Sequence, residues 1–158
     1  MKTQSKKNKL LELSAAEANK WLSYGLKKKE EKEVNNLLIG GNEDHLIESF
    51  HKKLEFGTGG MTGLIGIGSN RINSYTISLA TQGLCNYLKK TIENTITAVI
   101  AYDSRRFSKE FGNQTAKIFS ANNIKSHIFS DLRPTPELSF AVRELSLIHI
   151  SEPTRQHH

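Results

Sequence analysis

Thr97-Ala98-Val99-Ile100-Ala101-Tyr102-Asp103-Ser104-Arg105-Arg106 decides the fold class of this 158-residue chain. Its first half is nearly continuous apolar, as a strand buried on both faces of a parallel sheet must be. Its second half is a charged loop. A helix is predicted from about Ser108 to Ala121, with Phe111, Ala116, Ile118 and Phe119 available for packing. Ser126-His127-Ile128-Phe129 reads as a second strand, and Asp131-Leu132-Arg133-Pro134-Thr135-Pro136 as a second loop. A helix over Glu137–Leu145 follows. Strand, helix, strand, helix implies a βαβ unit with a right-handed crossover. The fold class is therefore α/β.

Working outward, residues 1–55 read as a helical segment. Ser14 with Glu17 three residues on forms a potential capping box, and Trp21 and Leu22 face inward. A second helix covers about Lys29–Leu38 and stops at Gly40-Gly41. A third covers about Glu43–Leu54, with Leu46, Ile47, Phe50 and Leu54 at helical spacing. Then comes a glycine cluster: Gly57, Gly59, Gly60, Gly63, Gly66 and Gly68. Such a cluster serves turns or close approach of a ligand, and bare amides suit an anion such as phosphate. A flexible linker is the plainer reading, but Phe56, Met61, Leu64, Ile65 and Ile67 are unusual in linkers. Leu64, Ile65 and Ile67 are expected to form a short strand. Tyr75–Ile92 reads as an amphipathic helix capped by Asn73 or Ser74, with Tyr75, Leu79, Leu84, Leu88 and Ile92 inward. Residues 146–158 show no clear periodicity and are expected to be either appended non-native sequence or a disordered C-terminus.

Composition narrows the function classes. Lys+Arg number 22 against 16 Asp+Glu, a net charge of +6. This suits an anionic ligand. The basic residues lie in a polar N-terminus and in a Lys/Glu-mixed stretch that reads as a solvated helix face, so no nucleic-acid partner is expected. Cys85 is the only cysteine and is expected to be a buried, inert thiol. No apolar run approaches the ~20 residues of a membrane span. The first nine residues lack the apolar core of a signal peptide, so a cytoplasmic location without a membrane partner is expected. The six scattered His show no zinc-ligand spacing.

Ligands of open parallel sheets bind at the carboxyl ends of strands. If the two predicted strands are neighbours, Asp103, Ser104, Arg105, Arg106 and Arg133 lie side by side and converge with the glycine loop. Guanidinium groups offer bidentate hydrogen bonds to phosphate. Asp103 and Arg105 read equally as a structural pair that fixes the loop, and the two readings are compatible. Pro134-Thr135-Pro136 has a sufficient structural reason, Thr135 as cap and Pro136 as first helical residue. His127 reads as a core or edge residue. Walker, dinucleotide and nucleophile-elbow patterns are all missing, because Gly57 and Gly59 are followed by Thr62 and no Gly-Lys-Ser/Thr or G-x-S-x-G occurs.

Several stretches taken together carry a resemblance. They are Leu54-Glu55-Phe56-Gly57-Thr58-Gly59-Gly60-Met61, Gly66-Ile67-Gly68-Ser69-Asn70-Arg71-Ile72-Asn73, Ala80-Thr81-Gln82-Gly83-Leu84, Ala101-Tyr102-Asp103-Ser104-Arg105 and Arg133-Pro134-Thr135-Pro136-Glu137-Leu138. In this order the chain resembles the N-terminal part of the α-D-phosphohexomutases, in the phosphoglucomutase/phosphomannomutase branch, over about Lys20 to Leu145. The resemblance implies a four-domain enzyme, of which residues 56–145 would be a truncated, three-layer domain I with a mixed, partly parallel sheet. It implies an isomerase that moves a phosphoryl group between C1 and C6 of a hexose phosphate, or C1 and C5 of a pentose phosphate. That enzyme works through a phosphoserine, a bisphosphorylated sugar and Mg²⁺. Thr58, Gly59 and Gly60 match the family's active-site loop. Asp103, Ser104 and Arg105 match the loop after the next strand. Two departures stand. Thr62 occupies a place where the family commonly has Arg. The Thr-Ala-Ser-His-Asn-Pro loop that carries the phosphoserine is absent, as are the metal loop and later domains. The expectation is a fragment, inactive alone, without catalytic or metal-binding residues of its own. The alternative is a small phosphate-ligand binding module without catalysis.

Overall fold

The structure, a computed structural model, describes residues 2–57, 60–144 and 148–151. The chain forms two compact units that divide between Asn73 and Ser74, beyond the 55/56 boundary expected from the sequence.

In the first unit, α1 (Lys2–Leu22), α2 (Lys28–Ile39) and α3 (Glu43–Phe50) pack together. Trp21 meets Phe50 edge-on, with ring centroids 5.6 Å apart, beside buried Ala18, Val34 and Leu46. The expected cap at Ser14 does not form. Ser14 sits inside α1, where its Oγ donates to the Leu10 carbonyl at 2.7 Å and so satisfies itself within the helix. Asn42 caps α3 by accepting the His45 N–H at 3.1 Å.

The glycine-rich stretch contains β1 (Phe56–Gly57) and β2 (Gly60–Met61), an antiparallel pair. Leu64, Ile65 and Ile67 do not make the expected strand; Ile65 forms a single bridge to Ile72. Hydrogen bonds instead draw this stretch back onto α3. Leu54 N–H donates to Ser69 O, Asn70 N–H to Ser49 O, and the Asn70 amide to Glu48 O. This is why the unit extends to Asn73.

The second unit starts with α4 (Ser74–Thr91). Its buried stripe is Ile77, Thr81, Cys85 and Leu88, and Leu79, expected inward, is 67% exposed. Thr81 lies on the same face as Ile77, Cys85 and Leu88 with its hydroxyl donating to Ile77 O at 2.8 Å, whereas Leu79 falls on the far side of the helix. Next come β3 (Thr97–Ala101), α5 (Ser108–Ala121), β4 (Lys125–Ile128), α6 (Thr135–Glu144) and β5 (Ile148–Ser151). The sheet order is β4-β3-β5, parallel throughout. The β-structure therefore resolves into this parallel sheet and the separate antiparallel pair.

Ile148–Ser151 correct the expectation that nothing regular lies beyond residue 145. They pair with Ala98–Ala101 of β3, whose N–H and C=O groups on that side would otherwise be an open edge. The other residues of 146–158 lie outside the described residues.

Ala98 and Ile100 of β3 pack with Cys85, Leu88, Phe119 and Ile124 on one face. Val99 and Ala101 pack with Leu138 on the other, joined by Phe129 and Val142. This makes a helix–sheet–helix sandwich. Burial pushes the Cys85 thiol up, partly offset by the Lys89 charge and a backbone hydrogen bond. The thiol is buried, as expected.

Candidate functional site

The strand order positions the site. From β3 the chain steps to β4 in one direction, and from β4 it returns past β3 to β5 in the other. Right-handed crossovers then require α5 and α6 on opposite faces, as the two clusters on β3 bear out. The loops leaving β3 and β4 therefore diverge to opposite sides of adjacent strands. A crevice outside the carboxyl ends of two such strands is the usual ligand place in open α/β sheets.

Three hydrogen bonds hold the two loops side by side. Tyr102 Oη donates to Ser130 O at 2.7 Å, Arg133 N–H to Tyr102 O at 3.3 Å, and Phe129 N–H to Ile100 O at 3.1 Å. The loop that carries Asp103, Ser104 and Arg105 and the loop that carries Arg133 are therefore neighbours.

Within the first loop, Asp103 Oδ1 accepts the Arg105 backbone N–H at 3.0 Å. Oδ2 accepts Arg105 Nε at 2.7 Å, with Nη2 at 2.5 Å. The Asp103 N–H in turn donates to Oγ of buried Ser108 at 3.2 Å. Burial alone would raise the Asp103 carboxyl. The Arg105 side-chain and backbone hydrogen bonds, the Arg105 charge and Ser108 outweigh it and hold the group below its ordinary value. Asp103 is thus a carboxylate that orients a guanidinium. Ser104, between them, is exposed. In the second loop, Arg133 Nε meets Glu137 Oε2 at 3.0 Å, and Nη1 donates to Leu132 O at 3.1 Å. An arginine has five N–H donors, so engagement with one carboxylate leaves donors for an anion.

Thr58 and Gly59 lie outside the described residues. Gly60 is in β2, in the first unit, whereas Asp103, Ser104, Arg105 and Arg133 are in the second. Gly68, read with the glycine cluster as suited to an anion, has a packing reason. Its φ of 127° is left-handed territory, and a Cβ there would run into the Ser49 carbonyl. Sequence reasoning missed Ser108, whose position five residues after Asp103 is the one available signal. It also missed Phe107, which takes φ 65° and ψ 5° just before α5. A phenylalanine gives no hint of a conformation that costs ~1–2 kcal/mol outside glycine.

No group of three or more His, Cys, Asp or Glu side chains that could hold a metal ion occurs among the described residues. No helix among them is long and apolar enough to cross a membrane.

Fold and strand-end loops thus define the class, an α/β/α domain whose loops after β3 and β4 carry arginines. Residues 53–151 match the family model described as "Phosphoglucomutase/phosphomannomutase, alpha/beta/alpha domain I". The chain is 32% identical over 139 residues to a phosphopentomutase of Mus musculus, covering 83% of this chain and 22% of that protein. It is 33% identical over 139 residues to a phosphopentomutase of Homo sapiens, covering 83% and 23%. It is 41% identical over 99 residues to a phosphoglucomutase of Staphylococcus aureus (strain USA300), covering 63% and 18%. No solved structure matches. The chain belongs to the phosphoglucomutase/phosphomannomutase family, and it spans about a fifth of the length of the curated relatives it matches.

Proposed function

We propose that this chain is the N-terminal part of a sugar-phosphate mutase, an isomerase that moves phosphate between C1 and C6, or C1 and C5, of its substrate. The single observation that carries the reading is the pair of arginine-bearing loops side by side at the sheet's switch point. The chemistry asked of such a site is positioning and charge stabilisation of a phosphoryl group. Arg105, held by Asp103, would supply oriented N–H donors to phosphate oxygens. Arg133 would approach from the next loop. The N-terminal turns of α5 and α6 add backbone amides whose dipoles favour an anion. By resemblance, Thr58, Gly59 and Gly60 would contribute an active-site loop in the whole enzyme. The group to be transferred would come from a phosphoserine beyond this sequence, because no Thr-Ala-Ser-His-Asn-Pro run occurs in it. Mg²⁺ and a cytoplasmic location belong to the proposed whole enzyme.

Two experiments test this. Reading the source locus past the codon for Ser151 should reveal a Ser-His-Asn-Pro loop and an Asp-rich metal loop in frame. A frame that ends at His158 would overturn the catalytic reading and leave a phosphate-binding module. The purified chain, free of host enzyme, should show no turnover of glucose 1-phosphate or ribose 1-phosphate. Measurable mutase activity would contradict the assignment of the reacting serine to missing sequence.

A further inference from the structure

We propose that Tyr102 is a positioning residue whose hydroxyl holds a two-residue displacement of the loop after β4, so that Arg133 rather than Asp131 lies alongside the end of β3. The inference deepens the phosphate-ester reading above and rests on it. The register of β3 with β4 pairs Ile100 with Ile128, and Phe129 N–H on Ile100 O at 3.1 Å keeps that register. A parallel ladder repeats every second residue, so Tyr102 O would next accept from Asp131 N–H. It accepts instead from Arg133 N–H, at 3.3 Å. The offset between bonded residues grows from 29 to 31, so two extra residues are taken up within 130–132. Tyr102 Oη donates to the Ser130 carbonyl in that bulge at 2.7 Å. Apolar packing does not explain the displacement, because it leaves Leu132 51% exposed. Nor does packing explain the tyrosine, since phenylalanine would fill the same buried place without a hydroxyl to satisfy. Bulges beside active sites serve to re-aim side chains. Here the consequence is one of charge. A regular ladder would set Asp131 next to Asp103 at the ends of adjacent strands, and two carboxylates repel a phosphate ester. The displacement brings a residue of opposite charge to that place. Asp131 stays in the bulge, where its Oδ2 accepts from Ser130 Oγ at 3.3 Å.

The test combines amide exchange and titration of the intact chain with glucose 1-phosphate, using Tyr102→Phe. The variant removes one oxygen and keeps the buried ring, so its fold is retained, as circular dichroism checks. Exchange at Arg133 N–H should quicken about three- to tenfold, the size of one lost hydrogen bond, while Phe129 N–H exchanges as in the parent. Affinity for glucose 1-phosphate should fall by a similar factor, about three- to tenfold. Asp131→Asn should raise affinity more in the Tyr102→Phe background than in the parent, because only the released loop can bring Asp131 beside β3. Equal quickening at Phe129 and Arg133 would mean a general loosening and would overturn the positioning role. So would an affinity unchanged in Tyr102→Phe, or an Asp131→Asn gain of the same size in both backgrounds. These results leave the proposed function standing. No saturable binding of glucose 1-phosphate by the parent chain would overturn both.

Discussion

The segment from Lys52 to Asn73 and the sheet from Thr97 onward are ordered by different means. β3 is buried by apolar contact on both faces, Ala98 and Ile100 toward one helix layer and Val99 and Ala101 toward the other. The earlier segment is threaded by polar side chains bonded to backbone. Asn73 Nδ2 donates to Gly66 O at 2.9 Å and Gly68 O at 3.0 Å, and Ser69 Oγ to Lys52 O at 2.8 Å. Arg71 meets Glu48 as an ion pair. Apolar packing tolerates many sequences of similar volume, whereas a polar thread needs particular atoms at particular places. The run Gly66-Ile67-Gly68-Ser69-Asn70-Arg71-Ile72-Asn73 therefore reads as a motif for structural reasons of its own.

Substitutions sharpen this contrast. The largest loss is expected for Phe119→Ala, about 4 kcal/mol, because a fully buried ring leaves a cavity between α5 and the sheet. Chemical denaturation measures it, and a loss near zero would deny that this core holds the second unit. Gly68→Ala should cost about 2–3 kcal/mol, since alanine meets both the left-handed φ and the Ser49 carbonyl. Unchanged stability there would return Gly68 to the anion-binding reading. Asn73→Ala should cost about 1–2 kcal/mol by stranding carbonyls of the thread. Faster amide exchange across residues 64–72 is the accompanying readout.

The smallest effect is electrostatic. The folded Asp103 carboxyl lies below its ordinary value of 3.8, so in acid the unfolded chain binds more protons. Its contribution is fully present above that ordinary value and is lost as pH falls through the folded one. For so exposed a pair the contribution is under about 1 kcal/mol. Asp103→Asn should remove that segment of the stability–pH curve, and an identical curve would mean that the Arg105 clasp contributes nothing.

The same contrast explains what could be read in advance. β3, α5 and the two arginine loops follow from an apolar run, a helical period and the rule that connects strands, so their neighbourhood was legible. The glycine stretch was legible as special but not in its reason, because Gly68 faces a carbonyl of α3 that no local pattern reveals. On α4, Leu79 falls about half a turn from the stripe of Ile77, Thr81, Cys85 and Leu88, where the Thr81 hydroxyl is satisfied within the helix. β5 was hidden because its pairing depends on the open edge of a strand about fifty residues earlier, and long-range pairing leaves little local signal. Phe107 was hidden because its backbone contradicts its own propensity.

The central claim is that the carboxyl ends of β3 and β4 face a phosphate ester. Amide chemical shifts of the intact chain, followed as glucose 1-phosphate is added with glucose as control, test it most directly. Saturable shifts clustered at residues 103–108 and 130–135, absent with glucose, are the predicted result. No saturable shift, or shifts confined to the lysine-rich stretches of α1 and α2, would contradict it.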